Sequence, residues 1–193
     1  MNSLIAVIHR DYLPLNILKE KSIVTCDEIN VQKILGKAKF LRRDKAENDY
    51  EHKQIIPYVI IENENMQVAS YQRKGKELRL HGLRSIGFGG HVEFSDVENI
   101  LDLETLKKAA IRELNEEFSD NVEYELIFKG IINEEITKVG KTHLGMVFKT
   151  GVNRCHYIKS NEIGEIEWVT LETARSLEFE LWSQMAAELI INF

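Results

Sequence analysis

The chain has 193 residues, 25 Lys and Arg against 31 Asp and Glu, a formal charge of −6 and 44% apolar residues. These values fit a globular domain with a sizeable core, and they exclude a disordered or fibrous chain, a membrane helix of about 20 apolar residues and a signal peptide. Two cysteines far apart in sequence indicate reduced thiols, so we expect a cytoplasmic protein with no membrane partner.

The predicted elements, in chain order, are a strand at 4–8, a loosely amphipathic helix at 27–40, strands at 55–61 and 66–73, a glycine-bearing loop at 82–90, a helix at 102–118, strands at 124–132, 143–150 and 166–171, and a helix at 179–190. Strands and helices mix without strict alternation. We therefore predict an α+β fold, or a layered α/β/α sheet, rather than a doubly wound one.

The negative charge is concentrated in one segment. Residues 93–120 hold nine acidic and three basic side chains, and the rest of the chain is balanced. Such a segment repels a phosphate polymer and attracts a divalent cation, so we expect no stable nucleic-acid partner.

The predicted helix at 102–118 places several carboxylates on one side. At about 100° per residue, Arg112, Glu113, Glu116 and Glu117 share an arc of roughly 140°, opposite the apolar residues. Neighbouring carboxylates repel one another and raise their own pKa values unless a positive charge lies between them. Mg²⁺ prefers carboxylate oxygen, and the glycines before the helix allow the backbone to approach a metal or phosphate. A solvated acidic helix face is the alternative.

These residues together resemble the Nudix box, the pattern G-x5-E-x7-R-E-U-x-E-E-x-G-U of hydrolases that act on nucleoside diphosphates linked to another group. The run from Glu104 through x7 to Arg112-Glu113-Leu114-Asn115-Glu116-Glu117 matches its second half. Gly90, within Gly-Gly-His-Val-Glu, matches its opening glycine.

The sequence departs from this pattern in two places. Thirteen residues separate Gly90 from Glu104 instead of five, which is an eight-residue insertion around 94–102. Asp96 stands six residues after Gly90 and is an alternative for the first acid of the box, but Glu104 keeps the helical phase with Arg112 and is preferred. Ser119 replaces the late glycine.

The resemblance covers about 55–193 and implies a Nudix-like α/β/α sandwich with a mixed β-sheet. Residues 1–54 are expected to form an N-terminal extension packed on the same domain. The implied reaction is attack of water on phosphorus in a small-molecule diphosphate or nucleotide substrate, with Mg²⁺ or Mn²⁺ as cofactor. Dimers are frequent in the family, so a homodimer is also an expectation.

The resemblance further implies roles for individual residues. The implied metal ligands are Glu113, Glu116, Glu117 and the Gly90 carbonyl. One glutamate of this cluster, Glu113 by preference, would act instead as general base. Arg112 would pair with Glu116 or Glu104 and so hold the carboxylate geometry.

Residues outside the helix are candidates for substrate contacts or for the base. The substrate-binding candidates are Arg84, Gly89, His91 and Glu165, and Glu162 and Glu165 are alternative bases from a later loop. A basic stretch precedes the glycines and includes Arg73, Lys74, Lys76 and Arg79, for which a solvated hairpin loop is the alternative. His81 and His91 could bond a phosphate or act as acids near neutral pH. The alternative is that each is a loop histidine exposed to water.

Two other functions remain to be weighed against a hydrolase. A catalytically weak or inactive ligand-binding or regulatory module would keep the fold, but the intact Arg-Glu-Leu-x-Glu-Glu run argues against lost chemistry. An isomerase of prenyl diphosphates would be expected to carry a catalytic cysteine near the glycine loop, and Cys26 and Cys155 lie elsewhere in the sequence.

Overall fold

Ten strands and six α-helices are formed by the residues that the computed structural model describes, which are 3–73, 82–118, 124–151 and 163–192. The strands are β1 (Leu4–His9), β2 (Lys21–Val24), β3 (Lys39–Arg42), β4 (His52–Glu62), β5 (Val68–Arg73), β6 (Arg84–Ser85), β7 (Gly87–Phe88), β8 (Ile127–Glu134), β9 (His143–Gly151) and β10 (Ile163–Val169). The helices are α1 (Glu28–Leu35), α2 (Arg43–Ala46), α3 (Leu103–Glu117), α4 (Lys138–Thr142), α5 (Leu171–Ala174) and α6 (Leu181–Asn192).

The strands form one mixed sheet around β4. The main order is β10-β5-β4-β9-β8-β2, in which β4 and β9 are parallel and the other neighbours are antiparallel. β4 is buried from His52 to Ile61, as expected for an apolar strand covered on both faces. The edge of β4 opposite β9 also pairs with β1 near His52 and with β7 near Ile60. The predicted mixed sheet is confirmed.

Helices cover both faces of this sheet. On one face α1 and α3 contribute Val31, Leu106 and Leu114 to the larger core cluster. On the other face α5 and α6 contribute Ala174 and Met185 to a second cluster. The structure therefore confirms the predicted α/β/α layering. Within the described residues, no helix combines the length and apolarity needed to cross a membrane.

Helix α3 begins and ends close to where the sequence predicted. Its N-cap is Asp102, whose carboxylate accepts a hydrogen bond from the Thr105 backbone N–H at 2.8 Å. Leu106, Ala110 and Leu114 recur at helical spacing and are completely buried. Glu116 is exposed, whereas Glu113 and Glu117 are partly buried and lie one to two turns along the helix from Leu106 and Ala110 on nearly the same side.

Residues 3–54 contribute strands to the same sheet. The side chains of β1 from Ile5 to Ile8 are completely buried. β1 pairs with β3 on one edge and with the start of β4 on the other, and β2 pairs with β8 at the far end of the sheet. The helix predicted at 27–40 is shorter than expected, because Phe40 and Leu41 pair with β1 in an extended conformation.

Candidate functional site

The glycine loop crosses the edge of β4 with its backbone flat against that strand. A Cβ at Gly87 would lie 1.8 Å from the Tyr58 ring, and a Cβ at Gly89 would lie 1.9 Å from the Pro57 carbonyl oxygen. Gly89 also has φ +153°, a conformation that side-chain-bearing residues rarely adopt. Glycine is therefore required here by close approach, which brings the 87–90 backbone next to β4.

Gly90 lies against a carboxylate of α3. A Cβ at Gly90 would lie 2.4 Å from the carboxyl carbon of Glu113, whose side chain is 19% exposed. Burial is the main cause that raises the pKa of Glu113 above its ordinary value; the charges of Glu116 and Glu117 add to the rise, and Arg112 opposes it. The glycine thus leaves the space in which this carboxylate meets the loop backbone.

Arg112 joins the loop to the carboxylates through all five of its N–H donors. Nε and Nη2 donate to the two carboxylate oxygens of Asp96 at 3.0 and 3.1 Å, and Nη2 also donates to the His91 carbonyl at 2.8 Å. Nη1 donates to Glu113 at 2.8 Å and to Glu116 at 3.0 Å. A guanidinium has five donors, so none is left over. We call Arg112 and its four partners, His91, Asp96, Glu113 and Glu116, the Arg112 cluster.

The Arg112 cluster is held by charge as well as by geometry. Partial burial alone would lower the pKa of Arg112, but its hydrogen bonds to Asp96 and Glu113, with the charge of Glu113, raise that pKa above its ordinary value. The Asp96 side chain is only 7% exposed and also accepts the Glu93 backbone N–H at 2.8 Å. Bidentate, partly buried ion pairs of this kind are among the strongest hydrogen-bonded pairs in proteins.

Of the two predicted partners of Arg112, Glu116 is confirmed and Glu104 is wrong. Glu104 is 75% exposed and forms its ion pair with Lys107, one turn along α3. Eight residues separate Glu104 from Arg112 by about 12 Å along the helix axis and by about 80° around it. Asp96 takes the place instead, six residues after Gly90, so the additional residues lie between Asp96 and α3 rather than between the glycine and the acid.

The carboxylates offer hard oxygen ligands, which fit Mg²⁺ or Mn²⁺. Glu116 is 61% exposed, Glu117 follows it on the helix, and the charges of both act on Glu113. Among the described residues, no three His, Cys, Asp or Glu side chains are already gathered closely enough to share one ion. Arg112, by bonding both Glu113 and Glu116, bridges the carboxylates in this structure.

An open depression adjoins the Arg112 cluster on the surface of α3. Its lining residues are Ser95, Asp96, Lys108, Ile111, Arg112, Asn115 and Glu116. Lys108 forms an ion pair with Glu98, which lies in the additional segment. Ser95 and Asp96 therefore form one wall of the depression, and α3 forms the other.

His91 is not the exposed loop histidine that was the alternative interpretation. Burial, ahead of the nearby charges of Arg43, His143 and Arg112, lowers the pKa of His91 to about 3. Its Nε2 lies 2.7 Å from Oε1 of Gln54, whose own amide donates to the Ala46 carbonyl at 3.3 Å. A neutral imidazole bonded in this way is unsuited to the proposed contact with a phosphate. Sequence reasoning missed Gln54 because the two residues lie far apart in the chain.

Arg84 and Glu165 are not brought to the carboxylates either. Arg84 donates to the Ser70 hydroxyl at 2.8 Å and pairs with Glu167 at 3.1 Å. Ser70 alternates along β5 with Ala69 and Tyr71, which pack in the cluster on the α3 side, so Ser70 faces the other layer. Glu165 is exposed on β10, and within the described part of the chain it has no ion pair with α3.

Several predicted residues lie outside the described ranges, and the side chain of Arg73 is likewise not described. The undescribed residues among the candidates are Lys74, Lys76, Arg79, His81, Ser119, Cys155 and Glu162.

Two proteins are similar to this chain along nearly its whole length. Protein YmaB of Bacillus subtilis (strain 168) is 30% identical over 209 aligned positions, which cover 98% of each chain. The crystal structure of Tm1382, a proposed Nudix hydrolase, is 29% identical, with a TM-score of 0.80 over 98% of each chain. Matches of this extent include the N-terminal segment.

Another solved structure matches a smaller part. The E. coli dihydroneopterin triphosphate pyrophosphohydrolase is 21% identical, with a TM-score of 0.54, and the match covers 73% of this chain and 99% of that protein. This likeness shows the fold alone. No protein-family model matches the sequence.

Proposed function

The chain belongs to the Nudix hydrolase family, and from that premise we propose that it is a divalent-metal-dependent hydrolase that cleaves the diphosphate linkage of a nucleoside diphosphate derivative or a related small molecule. The observation that carries the proposal is the Arg112 cluster, in which Arg112 binds both Glu113, which lies against the backbone at Gly90, and Glu116. The name of the E. coli neighbour, a pyrophosphohydrolase of a small triphosphate, supports the substrate class.

The metal ligands in this proposal are Glu116, Glu117 and the Gly90 carbonyl, and Glu113 is kept for proton transfer. Mg²⁺ or Mn²⁺ bound there would neutralise phosphate charge and orient the reacting groups. The open depression beside Glu116 gives a small substrate access to these carboxylates without requiring it to enter the core. The acidic surroundings favour a substrate that arrives together with its metal, which fits the charge of the 93–120 segment.

Glu113 is the proposed proton acceptor. In hydrolysis the water oxygen forms a new bond to phosphorus, the bridging P–O bond breaks, and the water proton must pass to a base. Burial raises the pKa of Glu113 towards the range in which a carboxylate accepts a proton effectively. Arg112 holds this side chain by the 2.8 Å hydrogen bond and fixes its direction, a positioning role.

Substitution of single carboxylates on α3 tests the proposal. Glu116→Gln and Glu117→Gln are expected to reduce turnover of a diphosphate substrate by orders of magnitude while circular dichroism and the melting temperature stay near wild type. Glu104→Gln is the matched control, because it removes an exposed acid of the same helix that forms its ion pair with Lys107. Phosphate release is measured over a panel of diphosphates with Mg²⁺ and with Mn²⁺.

Two outcomes would contradict the assignment. Full activity in Glu116→Gln or Glu117→Gln would exclude these residues as ligands. Calorimetric binding of Mg²⁺ and a nucleotide by the wild-type protein, without phosphate release from any member of the panel, would instead favour a ligand-binding or regulatory module.

A further inference from the structure

The loop that carries Gly90 and Asp96 is attached to the N-terminal strand. After β7 leaves β4, the chain continues to β1, where the Ala6 N–H donates to the Val92 carbonyl at 2.8 Å and Ile5 forms an antiparallel bridge with Glu93. β1 itself is fixed because it pairs with β3 on its opposite edge. Residues outside the Nudix box therefore determine the path of the backbone between Gly90 and Asp96.

An aromatic contact ties the Asp96 turn to the same segment. Phe94 begins the short 3₁₀ turn that ends at Asp96, and its ring packs edge-to-face on Phe40 of β3 with 5.2 Å between the ring centres. Phe94 is nevertheless 60% exposed, so its ring adds little to the core. Edge-to-face pairs contribute about 0.5–1.5 kcal/mol beyond the area that they bury. The contact therefore fixes the turn more than it stabilises the fold.

A third attachment reaches Arg112 through His91. The Ala46 carbonyl accepts the Gln54 amide N–H, Gln54 holds the His91 ring, and the His91 carbonyl accepts from Arg112 at 2.8 Å. Gln54 is completely buried, so this series of hydrogen bonds runs through the interior. Since α2 contains Ala46, the N-terminal segment orients the loop from this side as well.

We propose that residues 3–54 position the catalytic loop, and that the contact of Phe94 with Phe40 in particular sets Asp96 and thereby the Arg112 guanidinium against Glu113 and Glu116. Phe94 is a positioning residue and not a catalytic one, because it acts through Asp96. The catalytic consequence rests on the proposed function, whereas the effect on Arg112 does not. Protein YmaB and Tm1382 each match this chain over 98% of their length, so a counterpart of this segment and of its arrangement is expected in both.

The test compares Phe94→Ala with Phe94→Tyr in the full chain. In Phe94→Ala we expect the Nε–H signal of Arg112 in ¹H–¹⁵N spectra, assigned by its loss in Arg112→Lys, to exchange faster with water. We expect kcat and Mg²⁺ affinity to fall about tenfold, which is the effect typical of residues that orient metal ligands. KM and the melting temperature should stay near wild type. Phe94→Tyr keeps the aromatic ring, so its Arg112 signal, kcat and Mg²⁺ affinity should equal those of the wild type.

Leu15→Ala is the matched control, since Leu15 is an apolar residue of the same segment that is 86% exposed. It should leave the Arg112 signal, kcat and Mg²⁺ affinity unchanged. Wild-type values of the Arg112 signal and kcat in Phe94→Ala would overturn the proposal, and so would failure of Phe94→Tyr to restore them. If the wild-type chain hydrolyses no substrate, the proposed function fails, but the exchange of the Arg112 signal still decides whether Phe94 positions the guanidinium.

Discussion

At the scale of single residues, Asp96 and Glu104 show that exposure decides which acid matters. An exposed pair such as Glu104 with Lys107 contributes about 0–1 kcal/mol and is screened by solvent. Asp96 accepts two hydrogen bonds from Arg112 and one from Glu93, with almost no exposure to water. Removing its charge would leave a partly buried guanidinium without its bidentate partner.

Asp96→Asn is therefore expected to lower kcat by about 10–100-fold, because the side chain that fixes Arg112 loses its charge and one acceptor. Glu104→Gln should stay close to wild type. Steady-state kinetics with the best diphosphate of the panel measure both variants under identical metal concentrations. If Glu104→Gln were impaired and Asp96→Asn were not, the Nudix box of this chain would have to be read with Glu104 as its first acid.

His91 gives a pH dependence of known sign. Its pKa is about 3 in the folded chain and near 6.5 in the unfolded chain, so between these values only the unfolded state takes up the proton. Stability is then lost as pH falls, by about 2 kcal/mol between pH 7 and pH 5 from this group alone. Urea unfolding of His91→Gln should show a smaller loss over the same range. An equal loss in both proteins, or a histidine C–H resonance of His91 that titrates near pH 6.5, would contradict the neutral, buried state.

At the scale of elements, local patterning predicts what local forces determine. The apolar run of β4 and the 3.6-residue spacing of α3 fix their own structure, and both elements lie where the sequence predicted them. β3 and β7 are short and were predicted as helix or loop, because their extended form depends on pairing with β1 and β4. Distant partners are invisible to periodicity.

The candidate site divides in the same way. The carboxylates of α3 follow from helical phase and could be predicted together with Arg112. For the acid opposite Arg112 the spacing offered both Asp96 and Glu104, and the wrong one was preferred, because the choice ignored the 12 Å or so between helix positions eight apart and the path of the loop that brings Asp96 to Arg112. Gln54 and Phe40 act across the sheet from β4 and β3, and the sequence carries no local signal for such contacts.

At the scale of the whole molecule, the N-terminal segment belongs to the core of the sheet. Ile5, Val7 and Ile8 are completely buried, and β1 occupies the edge of β4 between β3 and the glycine loop. The E. coli neighbour matches 73% of this chain at 99% of its own length, so a fold of this kind can exist without a counterpart of the remainder. In this chain, however, loss of that strand would leave residues 52–54 at the start of β4 without a partner on this edge.

The fragment 55–193 is consequently expected not to fold on its own, although it contains the whole Nudix box. Without residues 1–54, β8 loses its neighbour β2, the backbone at Val92 and Glu93 loses its partner β1, and the larger core cluster loses Ala6, Ile8 and Leu35. The full chain should unfold in one transition, with equal calorimetric and van't Hoff enthalpies. Scanning calorimetry and urea unfolding of both proteins measure this. A fragment with its own sharp transition and hydrolase activity would make residues 1–54 a dispensable addition, whereas a fragment without one would make them part of a single cooperative unit.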